Sequence, residues 1–377
     1  MPEALTAAQR DLAARADRFA DEVLVPLAAR HADDPAALRA AVVDASKEAG
    51  FFTMTQPASH GGRAASTLEL TLLRERFAAT AEPARRHVFG PGPGVLADAQ
   101  GELAETCLRP VLAGTKRSAF AFTEPAGARP TTARRVDGHW RVDGVKSYVT
   151  GGSEADFLIV VARIADDDGE AGRDAIMLVV DADQAGVTRS EPFTSMDGSA
   201  HVAFTFAAVQ VPDARVVGRP GEGLPRALRQ IGDVRVIIAA EACGLMQCAL
   251  THLETHLQRP HRSGGALGDR EGVRLRFADA RIDAFAARSM LYRTARLADS
   301  GENAVNEGIA TKVFATEAAG RVVDTALQLE GGQALVRGEL LERLYREVRA
   351  LRFTEGASDV LRLNLARGRL ELGKGRV

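Results

Sequence analysis

Cysteine is scarce. Cys107, Cys243 and Cys248 are the only three in 377 residues, too few and too scattered for a disulfide framework or a zinc site. Excess charge of one sign is also missing. With 48 basic against 50 acidic residues and a formal net charge of -2, nothing neutralises a phosphate backbone, so nucleic acid is not expected as a partner. The start of the chain carries Glu3, Arg10, Asp11, Arg15, Asp17 and Arg18 where a signal peptide needs an apolar stretch. No run approaches the ~18 apolar residues of a membrane span. A reduced, cytoplasmic protein is the expectation. Nucleotide motifs are missing too. No Gly-x-Gly-x-x-Gly follows a strand, and the Gly90-Pro91-Gly92-Pro93-Gly94 alternation has the wrong spacing, with prolines that lack amide donors. There is no Walker lysine motif and no Gly-x-Ser-x-Gly elbow, so neither a Rossmann domain nor a P-loop is expected.

What is there is ordinary globular material, 46% hydrophobic and 26% charged, long enough for two or three domains. It falls into three blocks, expected as domains at 1–117, 118–218 and 219–377. In the first, Leu5, Ala8, Leu12, Ala16, Phe19 and Val23 recur at helical spacing, and a second stripe runs through Leu68, Leu72 and Phe77. In the second, Asp137-Gly138 and Asp143-Gly144 flank His139–Val142 as hairpin signals. Phe157–Ile164, Ala175–Val180 and Val202–Val211 are runs of strand length. An antiparallel β domain is expected there. In the third, Leu224, Leu228, Ile231, Ile238, Leu245, Ala249 and Leu253 predict a long helix that stops before Pro260. Further helices are expected over roughly Val273–Asp299 and Asn303–Gln328. The fold class is therefore α+β: a helical domain, a β domain and a C-terminal helical bundle.

Three constellations bear on chemistry by themselves. His252-x-Glu254-x-His256 puts two imidazoles on one helix face, but no third ligand is signalled, so a solvated face is expected and no metal. The Arg-rich stretch Arg337–Arg352 is interleaved with glutamates and reads as a solvated or intersubunit helix face. Glu355-Gly356, taken alone, reads as a helix end.

Ordered segments change that reading of Glu355. Phe120-Ala121-Phe122-Thr123-Glu124-Pro125 resembles the Thr-Glu-Pro signature of acyl-CoA dehydrogenases, and Val142–Gly152 resembles that family's next block. Val209-Gln210-Val211-Pro212 and Gly221-Glu222-Gly223 resemble the exit from its β domain. Leu341-Glu342-Arg343-Leu344-Tyr345-Arg346, followed by Phe353-Thr354-Glu355-Gly356-Ala357-Ser358, resembles the segment with its catalytic glutamate. The resemblance spans nearly the whole chain and implies a C-terminal four-helix bundle.

It also implies FAD-dependent α,β-dehydrogenation of an acyl thioester. Glu355 would take the α-proton, its pKa raised by burial, while the β-hydride passes to flavin N5. The backbone N–H of the glutamate would polarise the thioester carbonyl, and Gly356 would let the chain approach the substrate. Phe122, Thr123, Tyr148 and Thr150 would line the flavin. Gln328, Gly331 and Gly332 would meet FAD from a neighbouring subunit, and Ala357 and Asp359 fall where the family holds the adenosine or diphosphate. Arg235 resembles an arginine near the substrate, with a helix-surface or intersubunit salt bridge as the other reading. Some relatives carry their base immediately before this arginine, where this chain has Val234. A dimer or tetramer is implied, with an electron-transfer flavoprotein as acceptor.

The match departs in three places. Gly127-Ala128-Arg129-Pro130 replaces the usual Gly-Ser-Asp. Arg259-Pro260-His261-Arg262-Ser263-Gly264-Gly265 blurs the Arg-x-x-Phe-Gly element, leaving Arg262 or Arg259 as the diphosphate arginine, with Arg262 preferred. Gly331-Gly332-Gln333-Ala334 replaces Gly-Gly-x-Gly. A divergent member is implied. The alternatives are a flavin-poor partner subunit of a heteromeric enzyme, a dehydrogenase of carrier-protein thioesters, and an oxidase.

Overall fold

The computed structural model describes residues 4–166, 168–262 and 264–373. Helices α1 (Ala7–Phe19), α2 (Val25–Arg30), α3 (Pro35–Ala49) and α4 (Thr67–Ala78) come first. Their ends are written locally. Thr6 and Gln9 form a capping box at α1, as do Ser66 and Glu69 at α4, each satisfying two otherwise orphan donors. Asp34 caps α3 from the side chain, with Pro35 in its first turn. Short α5 (Gly101–Leu103) and α6 (Arg109–Ala113) follow. Then come eight strands: β1 (Ser118–Ala121), β2 (Thr132–Val136), β3 (His139–Thr150), β4 (Phe157–Ala165), β5 (Ala171–Asp181), β6 (Val187–Arg189), β7 (Phe193–Thr194) and β8 (Ala200–Pro212). The chain then returns to helix in α7 (Gly223–Gln258), α8 (Glu271–Asp299), α9 (Val305–Glu330), α10 (Leu340–Leu351) and α11 (Ser358–Leu370).

Contacts divide the chain into two compact units. A helical one takes residues up to Thr55, Arg63–Phe89 and Gly232 onward; a strand-rich one takes Gln56–Gly62 and Gly90–Ile231. The first sequence block is thus shared. Residues from Gly90 to Ala113 belong with the strands because Val95, Leu96, Leu103, Cys107, Leu108 and Val111 pack on one face of the sheet.

The sheet runs β1-β4-β2-β3-β8-β6, with β5 added on β4 and β7 on β8. Most pairings are antiparallel, as expected, but β1 and β2 both lie parallel to β4. β4 explains its own sequence. Leu158, Val160 and Ala162 face one core, and Phe157, Ile159 and Val161 face the other. A strand buried on both faces reads as a continuous apolar run rather than an alternation. The two Asp-Gly pairs part company. Val136 pairs with His139, and Asp137 and Gly138 both take positive φ, 48° and 80°, so this pair makes the two-residue hairpin. Asp143-Gly144 instead sits inside β3, where the register against β8 shifts. A bulge, not a turn, occupies that site.

In the helical unit α7, α8, α9 and α10 share one core, including Leu245, Leu253, Leu291, Val322 and Leu344. This is the C-terminal four-helix bundle. By length and composition α7 could cross a membrane, which corrects the statement that no stretch comes near a span. Yet 67% of its most apolar window is buried inside the protein; it is the central helix of the bundle.

Candidate active site

Between α10 and α11 the chain makes a short connection, residues 352–357, that carries Glu355. Its φ is 54°, the left-handed region, which costs a non-glycine residue about 1–2 kcal/mol. Gly356 follows at φ 111°. A Cβ there would lie 3.0 Å from the Leu361 side chain, so both backbone and space favour glycine.

Cations on two bundle helices hold the turn. Arg235 of α7 donates from Nε to the Glu355 carbonyl at 3.3 Å. Lys312 of α9 donates from Nζ to the carbonyls of Arg352 at 3.2 Å and Gly356 at 2.8 Å. The Gly356 N–H donates to Phe353 at 3.2 Å. By contrast, the Glu355 N–H makes no hydrogen bond among the described residues. A carboxylate and an uncommitted amide of the same residue therefore stand together.

Glu355 is half-buried. Burial pushes its carboxyl above the usual range, against the pull of Arg235 and then Lys312. Lys312 is fully buried. Its amine is pushed down to about 8, first by burial and then by Arg235, with Glu355 and Glu317 opposing. Such a set raises the basicity of the carboxyl by burial without a rigid ion pair that would quench it. Glu355, Gly356 and Arg235 lie together, Arg235 on the Glu355 carbonyl rather than in a salt bridge of its own among the described residues.

A second place in the helical unit gathers Gln328, Gly331 and Gly332. They line a groove of about 450 Å³ at the end of α9, with Leu335, Tyr345 and Arg346. Arg346 is tied to Glu342 at 2.7 Å. Ala357 is the N-cap of α11, without a side-chain cap. Asp359 lies in the first turn of α11, fully outward and 3.6 Å from Arg362. Its carboxylate is not placed to greet a diphosphate; the uncapped N-terminal amides of α11 suit one better. Arg262 is exposed on a small loop that is closed by the bridge between Pro260 and Ala266 and by His261 N–H on the Gly265 carbonyl at 2.8 Å. Ser263, part of the same motif, lies outside the described residues.

The strand-rich unit carries the remaining four. Phe122 stacks on Phe120, ring centroids 5.9 Å apart. Thr123 accepts from the Ser147 N–H at 2.8 Å, which ties the end of β1 to the Tyr148 segment. Tyr148 has φ 53° and its side chain is 62% exposed, a large ring held outward against Phe193 and His201. Thr150 Oγ1 lies 3.1 Å from His201 Nδ1, and His201 Nε2 lies 2.8 Å from Ser195 Oγ. The Thr123 N–H makes no hydrogen bond among the described residues. An outward aromatic face, free amide and hydroxyl edge fit a planar heteroaromatic ligand with a polar rim, as an isoalloxazine is.

Sequence reasoning missed several residues. Lys146, 2% exposed, donates to the Phe122 carbonyl at 2.8 Å and to Glu124 at 2.7 Å. Glu124 also accepts from the Thr131 N–H at 3.0 Å, so it braces the loop that contains the altered segment 127–130. Burial would lift the Glu124 carboxyl, but the Lys146 and Thr131 hydrogen bonds bring it below the usual range. Lys312 left only a faint signal: it falls in line with Ile309, Val313 and Thr316 on the buried side of α9. His252 is explained by Glu330, at 2.6 Å. Among the described residues no cluster of three His, Cys, Asp or Glu side chains is placed to hold a metal.

Comparison with known proteins fits this geometry. Three family models match in order: the acyl-CoA dehydrogenase N-terminal domain over residues 6–114, the middle domain over 119–209 and the C-terminal domain over 221–370. An acyl-CoA dehydrogenase of Bacillus subtilis is 30% identical over 67% of this chain and 68% of its own length. The caffeyl-CoA reductase-Etf complex subunit CarC of Acetobacterium woodii is 26% identical over 85% of this chain and 86% of its own. Butyryl-CoA dehydrogenase from Megasphaera elsdenii, 22% identical, superposes with a TM-score of 0.81 over 95% of this chain and 97% of its own; it shares the fold. The chain belongs to the acyl-CoA dehydrogenase family. It is an FAD-dependent oxidoreductase that acts on the CH–CH bond of an acyl-CoA.

Proposed function

We propose that Glu355 is the base of this reaction. It would take the α-proton of the bound thioester while its own N–H donates to the thioester oxygen. The observation that carries this is the pairing of a desolvated carboxyl with an uncommitted amide in one turn. As charge moves onto the thioester oxygen, a fixed amide stabilises it without reorganisation. Arg235 holds the carbonyl of the same residue, which fixes the peptide that follows Glu355 and so limits how residue 355 can turn. FAD, when bound, supplies the hydride acceptor. Phe122, Thr123, Tyr148 and Thr150 would hold its ring, a neighbouring subunit would bring Gln328, Gly331 and Gly332 to it, and Arg262 and the Ala357 end of α11, rather than the outward Asp359 carboxylate, would suit its diphosphate.

The reaction can run either way in principle, and the Acetobacterium woodii relative is a reductase. The raised Glu355 pKa serves both directions, because the same carboxyl must accept a proton in one and return it in the other. An electron-transfer flavoprotein is the proposed electron partner, a reading supported by the Etf complex of that relative. A homodimer or homotetramer is proposed on the exposed apolar face of α8, where Leu275, Ile282 and Phe285 are each more than 60% exposed. A monomer by sedimentation at micromolar concentration would remove that reading. The three free cysteines are in keeping with a reducing cytoplasm. Anaerobic mixing with a panel of acyl-CoA and enoyl-CoA thioesters tests the whole assignment. Bleaching of oxidised flavin by a saturated acyl-CoA, and return of colour to reduced flavin on adding an enoyl-CoA, are expected, both slowed about a hundredfold or more in the Glu355→Gln variant.

A further inference from the structure

We infer that Lys312 is a positioning residue for the base, fixing the turn that carries Glu355 through the carbonyls on either side of it. This inference rests on the reading of Glu355 as the base. The turn needs holding, because Glu355 at φ 54° is not in a conformation that a free chain selects for a glutamate. Lys312 is fully buried on α9, and its Nζ reaches Arg352 O at 3.2 Å and Gly356 O at 2.8 Å. Together these two carbonyls bracket Glu355 in sequence.

A purely structural lysine in such a place would be expected to take a carboxylate, as Lys146 takes Glu124 at 2.7 Å. Lys312 has no salt-bridge partner among the described residues. Glu317 on its own helix is engaged by Arg362 at 2.6 Å. The charge of Lys312 is therefore left to act on Glu355. Around Glu355 the charged groups are Arg235 from α7 and Lys312 from α9, with Arg352 on the same connection and Glu317 one turn along α9. Both cations favour the ionised carboxyl. Lys312 thus does two things at once: it pins the peptides before and after Glu355, so that the turn keeps its shape, and it keeps the carboxyl from rising too far to serve as a base.

The test compares wild type, Lys312→Met, which keeps length and loses charge, and Glu355→Gln as FAD-loaded proteins. Lys312→Gln, which keeps a donor, replaces the Met variant should that fail to fold. Two readouts are needed: the pH profile of flavin reduction by acyl-CoA, and amide hydrogen exchange of residues 352–357. For Lys312→Met the inference expects the acid limb of the profile to move to higher pH and the rate to fall about tenfold or more. It also expects faster exchange confined to the turn, with flavin content unchanged. If Glu355→Gln is inactive but the Lys312 variant keeps both its acid limb and its exchange pattern, the Lys312 inference falls and the base assignment stands. If exchange rises throughout the bundle while the limb stays put, Lys312 is only a packing residue and the inference also falls. If Glu355→Gln is reduced as fast as wild type, the base assignment fails and takes this inference with it.

Discussion

Two buried lysines, one in each compact unit, hold backbone carbonyls beside candidate site residues, and their surroundings differ in one respect. Lys146 holds the Phe122 carbonyl and is matched by Glu124. Lys312 holds the carbonyls of Arg352 and Gly356 with no carboxylate of its own. The matched lysine completes a local network in which a carboxyl is held low. The unmatched one has its amine pushed down to about 8 and lends its charge to a carboxyl held high. Similar parts therefore make a brace in the strand-rich unit and a tuned turn in the helical unit. Satisfaction of the partner decides which.

The largest effect should come from removing the tuned carboxyl. Glu355→Gln is expected to lose roughly 10²–10⁴-fold in flavin reduction by substrate, the range for a general base, with an unchanged flavin spectrum; stopped-flow absorbance reads both. Breaking the brace should act on stability instead. Lys146→Met leaves Glu124 without its ammonium, and a fully buried pair broken this way costs ~3–5 kcal/mol. Glu124 is 32% exposed, so about 2 kcal/mol is expected after solvent screening, seen as a lower denaturation midpoint with unchanged m-value. A loss confined to activity would dissolve the contrast.

The smallest effect is a matter of sign. The Glu355 carboxyl is raised in the fold. Its contribution to stability is fully present below the unfolded pKa and is lost as pH rises through the folded value. Glu355→Gln should therefore melt higher than wild type at about pH 8, on the order of 1–2 °C, and the gap should close near pH 4. Glu124 is lowered, so its contribution is present above the unfolded pKa and is lost as pH falls through the folded value. Glu124→Gln should melt lower than wild type at neutral pH, the gap again closing on acidification. Calorimetry across pH would show two carboxyl variants displaced in opposite directions; displacement the same way would mean that one turn or the other is misread.

Much of this was readable from sequence. Helical spacing located α7, α8 and α9 to within a few residues, because long periodic segments average over local exceptions. Phe353-Thr354-Glu355-Gly356 pointed to the base turn. The Asp143-Gly144 bulge was not readable, since the same dipeptide makes a hairpin six residues earlier; only the strand on the far side distinguishes them. The parallel pairing of β1 and β2 with β4 joins segments far apart in sequence, and local propensity carries no record of it. Lys146 and Lys312 escaped because a lysine in a sequence reads as surface. What they do is set by carbonyls 24 and 40 residues away.

The left-handed backbone at position 355 also constrains how this protein can drift. A β-branched residue is poorly tolerated at φ 54°, whereas glycine and aspartate accept it readily. Both lie one nucleotide from a glutamate codon, and so does valine. The turn therefore filters its own mutations: descendants that lose the base are expected to keep the loop's shape by way of glycine, and those that pass to aspartate keep both the shape and a shorter carboxylate, so an inherited catalytic scaffold outlives the chemistry it was built for.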